Sequence, residues 1–326
     1  MKQAIYRRKV IRAGKTVDIE YTYPTQYGDG LTRRNMSGKG TPAAMAEYNR
    51  EIAIRRLGLL LNANFNPGDF WLTFHYERDN RPKTVEEADK HIRKLTAALK
   101  KEYEKKGIVF KWVRPRTALG ARGAIHHHLL IPQGVSNSTI KHLWWDISKA
   151  SFKVRPPDCV ELYDSGEYSS LAAYIYDHYD KNGSADNMFD HNESNVPESG
   201  NVKNVKRWSA SRNLNKPKSE PPVTVKDIKW QEPPIPWNGY YIETASIRAG
   251  CNPVSGRPYL YYRQVKLPPN FTCFDPERRK KLTGKEAIAW FRADNRRYLQ
   301  ENWLDIAPDG EIVFKEEKDL GVKQNE

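Results

Sequence analysis

A long amphipathic helix with short apolar strands on either side is the feature that most constrains the fold of this chain. Thr84 and Glu87 form a capping box, which starts a helix by satisfying backbone amides of its first turn. Lys106 and Gly107 form a typical stop signal at its C-terminal end. The apolar residues between these signals share one stripe at steps of three or four: Ala88, Ile92, Leu95, Leu99 and Tyr103. We therefore expect this helix to pack one side against a sheet.

Apolar segments before and after this helix supply that sheet. Alternating or aromatic-rich runs predict strands, and capped runs of period 3.6 predict helices. The predicted elements follow in the order strand 70–76, helix 84–106, strand 108–113, strand 124–131, helix from 136, strand 160–163 and helix 166–181. This order predicts an α+β fold in which an antiparallel sheet carries helices on one face. It is the split βαβ arrangement of ferredoxin-like and RRM-like domains, here with a smaller C-terminal extension.

Changes in composition divide the chain into four predicted parts. They are a basic arm and an N-terminal helix over 1–62, the sheet domain over 63–182, a loop and linker over 183–235, and a C-terminal extension over 236–326. The loop and linker are assigned because the segment is polar or proline-rich and lacks periodicity. The extension has no assigned role, and a hairpin at 240–265 and a helix near 285–303 are predicted within it.

Three consecutive histidines lie in the strand predicted over 124–131. Side chains alternate across a strand, so His126 and His128 share one face while His127 lies on the other with apolar neighbours. Two imidazoles spaced in this way, on the face expected to lack helices, can chelate one metal ion. The alternative is that all three rings are hydrogen-bonded within a sheet and chemically inert. Imidazole favours zinc, whereas phosphate chemistry favours magnesium or manganese.

The helix predicted over 166–181 carries the second group of candidate residues. Tyr174, His178 and Lys181 follow at helical spacing and form a stripe apart from the predicted core face. A phenol has a pKa near 10, so it needs a base or a positive field to act as a nucleophile. His178 is a candidate proton shuttle, and Lys181 is a candidate to stabilise a phenolate or a phosphate. A tyrosine-rich core helix is the alternative, since Tyr176 and Tyr179 lie on the same helix.

Charge and cysteine content narrow the class of protein. Lys and Arg number 54 against 40 Asp and Glu, a formal net charge of +14 that favours a nucleic-acid partner. The cysteines number three and form no CxxC motif, which is typical of a reducing compartment. The N-terminus has no apolar signal-peptide core, and the longest apolar runs are too short to span a membrane. No P-loop motif occurs, so we expect no built-in helicase.

Taken together, these motifs resemble those of the HUH endonucleases, specifically the rolling-circle replication initiators of plasmids and phages. WLTFHY at 71–76 is similar to the first motif of that family, and GAIHHHLLIP at 123–132 is similar to the second. LAAYIYDHYDK at 171–181 is similar to the third, which carries the nucleophile. RWSASRNLNKP at 207–217 resembles a stretch that often follows the third motif. The resemblance covers residues 70–217.

The resemblance implies a role for each candidate residue. His126 and His128 would hold a divalent metal, magnesium or manganese, and Tyr174 would attack DNA with Lys181 downstream of it. Tyr176 is the main rival for the nucleophile. The middle position of the histidine motif is usually bulky and apolar in the family, whereas here it is His127. No third metal ligand is assigned.

The resemblance also implies the reaction and its partners. Such an initiator nicks and rejoins single-stranded or hairpin DNA at a replication origin through a covalent 5′-phosphotyrosine link. Host helicase and polymerase would be its protein partners, no membrane would be involved, and the cytoplasm of a bacterial host would be its compartment. Two alternatives stay open: a transposase or relaxase with the same chemistry, and a non-catalytic nucleic-acid-binding protein on a split βαβ scaffold.

Overall fold

The structure is a computed structural model, and it forms two compact units. It describes residues 6–23, 43–119, 125–149, 158–162, 165–181, 206–226, 228–230, 232–251, 257–306 and 312–314. One unit comprises Arg34–Lys216, and the other comprises Met1–Arg33 together with Pro217–Glu326. Residues 183–205 of the predicted loop and linker lie outside the described residues, as does the part of the predicted N-terminal region over 24–42.

The helices and strands of the described residues have the following bounds. The helices are α1 (Ala43–Asn62), α2 (Val85–Lys105), α3 (Asn137–Ser148), α4 (Ser169–Lys181) and α5 (Gly284–Glu301). The strands are β1 (Tyr6–Ala13), β2 (Thr16–Thr22), β3 (Phe70–His75), β4 (Val113–Pro115), β5 (Ala118–Leu119), β6 (Ile125–Ile131), β7 (Asp158–Glu161), β8 (Trp208–Ala210), β9 (Lys218–Ser219), β10 (Val223–Val225), β11 (Tyr240–Cys251), β12 (Pro258–Lys266), β13 (Thr272–Asp275), β14 (Lys280–Thr283), β15 (Leu304–Ile306) and β16 (Ile312–Phe314).

The unit Arg34–Lys216 is built around one antiparallel sheet. Its strands are ordered β7-β3-β6-β4-β8, and the short β5 also pairs with β6. Each of these pairings is antiparallel. In the central pair, the Cα partner of Thr73 on β3 is His128 on β6, and that of His75 is His126. The predicted α+β fold with an antiparallel sheet is therefore confirmed at this level.

Helices lie on both faces of this sheet, so the prediction of helices on one face is wrong. α2 and α3 pack on the face that carries Leu72 and Leu129. α1 and α4 pack on the opposite face, which carries Trp71 and Leu130. The physical reason is that β3 and β6 have apolar side chains on both faces, and a sheet of that kind needs a cover on each side.

The long helix α2 forms as its sequence predicts. The Thr84 side chain accepts a hydrogen bond from the Glu87 amide at 3.2 Å, and the Glu87 carboxylate accepts one from the Lys83 amide at 2.8 Å. The glutamate side chain thus accepts from the amide of Lys83, the residue that precedes the N-cap threonine. The whole predicted stripe is fully buried in the core: Ala88, Ile92, Leu95, Leu99 and Tyr103.

Most of the segment predicted as a strand over 108–113 is not a strand in the structure, and it contacts a distant segment instead. Within that range only Val113 belongs to a strand, because β4 runs from Val113 to Pro115. β8, in the predicted linker, pairs with β4 and extends the sheet. The Ser211 hydroxyl oxygen accepts a hydrogen bond from the Trp112 amide. The Asn213 side-chain amide donates one to the Phe110 carbonyl oxygen. Backbone groups of residues 110 and 112 are therefore satisfied by this distant segment and not by a strand ladder.

In the other unit, residues 6–22 of the predicted basic arm form a hairpin. β1 pairs with β2, and β2 pairs with β12 of the C-terminal region. The hairpin predicted at 240–265 is confirmed as β11 and β12. Within this sheet Arg263 and Asp18 form a fully buried ion pair at 2.6 Å, and the Tyr261 hydroxyl donates to the same carboxylate. The sheet therefore joins residues more than 200 positions apart in sequence.

A close approach of α1 and α4 gives a prediction about stability. A Cβ built on Gly58 of α1 would lie 3.5 Å from the Ser169 hydroxyl oxygen and 3.6 Å from the Ala172 Cβ, which are ordinary van der Waals distances. Glycine in a helix interior costs about 0.5–1 kcal/mol relative to alanine. We expect Gly58→Ala to raise the free energy of unfolding by about that amount, measured by urea titration. Gly58→Leu should lower it, since a longer side chain would push the helices apart, and a destabilised alanine variant would contradict the packing described.

Candidate metal centre

The β3–β6 register determines which histidines can meet. His126 and His128 lie on the face covered by α4, and the His127 ring lies in the core on the other face, as strand alternation predicts. The ring centroids of His126 and His128 are 4.9 Å apart. Two imidazoles are thus held side by side beneath the tyrosine helix.

A third imidazole completes this group. His178 of α4 brings its Nε2 atom to 3.3 Å from the Nε2 atom of His126. One nitrogen from each of His126, His128 and His178 lies within 4.8 Å of the others, close enough to bind a metal ion. From the sequence, no third metal ligand was predicted, and His178 was predicted only as a candidate proton shuttle. Its position four residues after Tyr174, on the same stripe, was the signal for the shared site.

The chemistry of these donors fits a divalent metal. Burial, with a smaller contribution from neighbouring histidines, lowers the pKa of His128 to about 2 and that of His178 to about 4. The two rings are therefore neutral at neutral pH, which is the form that binds a metal. Nitrogen donors from a strand and a helix, facing one another at short range, are a suitable ligand set.

Tyr174 reaches the histidine cluster. Its hydroxyl lies 3.0 Å from the Nε2 atom of His128, and 41% of the residue surface is exposed, so solvent or a substrate can reach it. Burial of the remainder raises the pKa of the phenol. The phenol is thus protonated at neutral pH and must lose its proton during any attack.

The other predicted residues of this helix are not brought to the cluster by described contacts. Tyr176 packs with the apolar cluster beside α1, and the Arg207 guanidinium lies 4.8 Å from the centre of its ring. The side chains of Tyr179 and Lys181 lie outside the described residues, although both belong to α4. The geometry therefore separates Tyr174 from its main rival Tyr176.

α1 holds the tyrosine helix in place. The Arg50 guanidinium donates to the Asp177 carboxylate at 3.0 and 2.5 Å, and Asp177 is the residue before His178. Such a two-point contact fixes both position and orientation. The boundary predicted at residue 63 separated α1 from the sheet domain, whereas the compact unit Arg34–Lys216 contains both.

The His127 ring is buried among polar and aromatic side chains of the core. Its Nε2 atom lies 2.9 Å from the Tyr76 hydroxyl, which is also 3.2 Å from the Nδ1 atom of His91. The ring of Trp144 packs edge-on against the His127 ring. Burial, followed by the charge of Arg114, lowers its pKa well below the usual value. His127 is therefore a neutral, hydrogen-bonded core residue.

Comparisons with known proteins add no relative. No protein-family model, curated protein or solved structure matches the chain. Among the described helices, none has the length and apolar character needed to cross a membrane. The histidine–tyrosine cluster is therefore the basis on which function is inferred.

The two faces of β6 predict opposite effects of histidine substitutions. His127→Ala removes a buried ring and leaves the Tyr76 hydroxyl short of a partner, so we expect a loss of about 2–4 kcal/mol in the free energy of unfolding. His126→Ala and His128→Ala should instead abolish tight metal binding with a smaller loss of stability. Urea unfolding and calorimetric titration with Mn²⁺ measure the two effects. A folded His127→Ala variant that loses metal binding as completely as His126→Ala would contradict the register.

Proposed function

We propose that this protein is a metal-dependent DNA endonuclease and strand transferase of the HUH type that initiates rolling-circle replication. The observation that carries the proposal is the 3.0 Å distance between the Tyr174 hydroxyl and the His128 Nε2 atom, within a group of three histidines. A nucleophilic phenol and a candidate metal ligand therefore face the same point. The ordered motifs of the sequence support the same activity.

The topology of the sheet gives further support. The elements β3, α2, β4, β6, α3 and β7 follow the order strand, helix, strand, strand, helix, strand. In the sheet these four strands are arranged β7-β3-β6-β4. This combination is what a split βαβ core predicts. β5, β8, α1 and α4 are additions to that core.

The proposed reaction begins with attack by Tyr174. Its oxygen forms a bond to the phosphorus of a DNA phosphodiester while the bond from phosphorus to O3′ breaks. The phenol gives its proton to solvent, and O3′ gains one to become a free hydroxyl. The DNA fragment downstream of the nick becomes joined to Tyr174 through its 5′ phosphate, as a phosphodiester. One phosphodiester thus replaces another, so rejoining needs no ATP, and the free 3′ end can prime synthesis.

His126, His128 and His178 are the residues that would hold the metal. When bound, a divalent cation supplies polarisation of the scissile phosphate and offsets the charge that develops on it. Magnesium and manganese are the two ions expected for phosphate chemistry. Three imidazoles, without a carboxylate among the ligands of this described cluster, favour manganese over magnesium, which prefers oxygen donors.

The basic composition supports DNA as the substrate. A net charge of +14 favours capture of single-stranded or hairpin DNA at an origin through its phosphates. A bacterial cytoplasm, with host helicase and polymerase as partners, is the setting in which such an initiator would act. A tyrosine transposase would use the same chemistry and remains the second candidate. A relaxase usually places its tyrosine before the histidines, whereas Tyr174 follows them.

A non-catalytic nucleic-acid-binding protein is less well supported. Such a protein would present sheet aromatics to bases on an open face. Trp71, the large aromatic residue on the relevant face of β3, stacks on His128 at 5.1 Å and lies edge-on to Tyr174. It thus belongs to the site beneath α4, where it orients catalytic candidates.

The first prediction of this proposal concerns the covalent link. Tyr174→Phe keeps the ring and removes the attacking oxygen, so covalent adduct formation with a single-stranded origin oligonucleotide and Mn²⁺ should vanish while stability changes little. A denaturing gel detects the adduct, and mass spectrometry of the linked peptide locates it. Tyr176→Phe is the matched control and should form the adduct. A peptide linked through Tyr176 or Tyr179 would overturn the assignment of the nucleophile, and a wild-type protein that forms no adduct with any origin strand would overturn the enzyme class.

The second prediction concerns binding without chemistry. Contacts with several phosphates release counterions, so affinity should fall by at least about a hundredfold between 50 and 200 mM salt. Fluorescence anisotropy with a labelled single strand measures this, and Tyr174→Phe should show the same salt slope as the wild type. Affinity that stays constant across this range would contradict a basic binding surface.

A further inference from the structure

We propose that Thr73 is a positioning residue that holds the His128 ring in the tautomer whose Nε2 atom binds the metal. The Thr73 hydroxyl oxygen lies 3.0 Å from the Nδ1 atom of His128. This inference deepens the proposed function and rests on it only in requiring that His128 be a ligand. It assigns a chemical task to the threonine of β3.

The two ring nitrogens of His128 face different partners. Nδ1 faces Thr73, and Nε2 faces the Tyr174 hydroxyl. A neutral imidazole carries its proton on one nitrogen and offers a lone pair on the other. For Nε2 to bind a metal, the proton must be on Nδ1, where it can be donated to the Thr73 oxygen. With a metal on Nε2, the Thr73 oxygen accepts the hydrogen bond from Nδ1–H, so this partner stabilises the tautomer that binds the metal.

The strand register builds this contact. Thr73 and His128 are direct Cα partners on β3 and β6, so their side chains leave the same face of the sheet side by side. Trp71, two residues earlier on β3, stacks on the His128 ring with an interplanar angle of 9°. The indole fixes the plane of the ring, and the hydroxyl fixes which edge of the ring points at the cluster.

The other strand ligand has a histidine and not a threonine as its cross-strand partner on β3. The Cα partner of His126 is His75, whose ring centroid lies 6.0 Å from that of His126. A hydroxyl at position 73 adds no charge to a site built from neutral rings. Threonine is also β-branched, which suits a position within a strand. Loss of the hydroxyl should therefore affect His128 first.

The test uses two substitutions in the full-length protein. Thr73→Val removes the hydroxyl and keeps the shape of the side chain, whereas Thr73→Ser keeps the hydroxyl. Loss of an orienting partner typically weakens metal binding by about 10- to 100-fold. We expect that loss for Thr73→Val in calorimetric titration with Mn²⁺, with an affinity close to that of the wild type for Thr73→Ser. Urea unfolding should show little difference between the valine variant and the wild type.

A spectroscopic readout separates positioning from a purely structural role. In nitrogen-15 spectra recorded with side-chain histidine labelling, His128 should be protonated at Nδ1 in the wild type and in Thr73→Ser. In Thr73→Val it should populate both tautomers. A valine variant with wild-type Mn²⁺ affinity would overturn the proposal, as would a serine variant that loses affinity equally, or a wild-type protein that does not bind Mn²⁺.

This outcome is independent of the covalent chemistry. If the valine variant loses Mn²⁺ affinity but the wild type forms no DNA adduct, Thr73 positions a metal ligand and the nuclease proposal fails. If the wild type forms the adduct and the valine variant binds Mn²⁺ normally, the nuclease proposal stands and the role of Thr73 fails. Parallel titrations and adduct gels on the same preparations separate the two results.

Discussion

The antiparallel register between β3 and β6 is the constraint on which the candidate site depends. It sets Thr73 opposite His128 and His75 opposite His126. Because side chains alternate with a period of two, a slip of one residue would move His127 to the site and both candidate ligands into the core. The buried polar contact between His127 and Tyr76 works against such a slip, since it would have to be broken. The same pairing thus specifies the core on one face and the chemistry on the other.

Local periodicity made much of this unit predictable, and long-range pairing accounts for what was missed. The α2 stripe, the alternation of the three histidines and the stripe of Tyr174 and His178 all follow from spacing within one element. The pairing of β4 with β8, which joins Val113 to Ala210, has no local signal. The cover on the second face did have a signal, since Trp71 and Leu130 make β3 and β6 apolar on that side as well.

A segment near residue 215, distant in sequence from the candidate site and without candidate site residues, supports that site through hydrogen bonds to the end of α1. Asn64, just after α1, accepts a hydrogen bond from the Asn215 amide at 2.7 Å and donates one to the Asn215 carbonyl oxygen. The stretch around 207–217 therefore ties the end of α1 to the sheet, in addition to pairing with β4. The stretch thus supports the helix against which α4 packs.

The placement of Tyr174 and His178 on one helix has a mechanical consequence. Four residues of α-helix rise about 6 Å, so the separation of nucleophile and ligand along α4 is fixed by backbone geometry and not by loop conformation. Any tilt or displacement of α4 relative to β6 would carry both groups away together. Under the proposed function, the site would then lose its nucleophile and one of its metal ligands in a single motion. Under the proposed function, activity would therefore depend on the packing of this one helix.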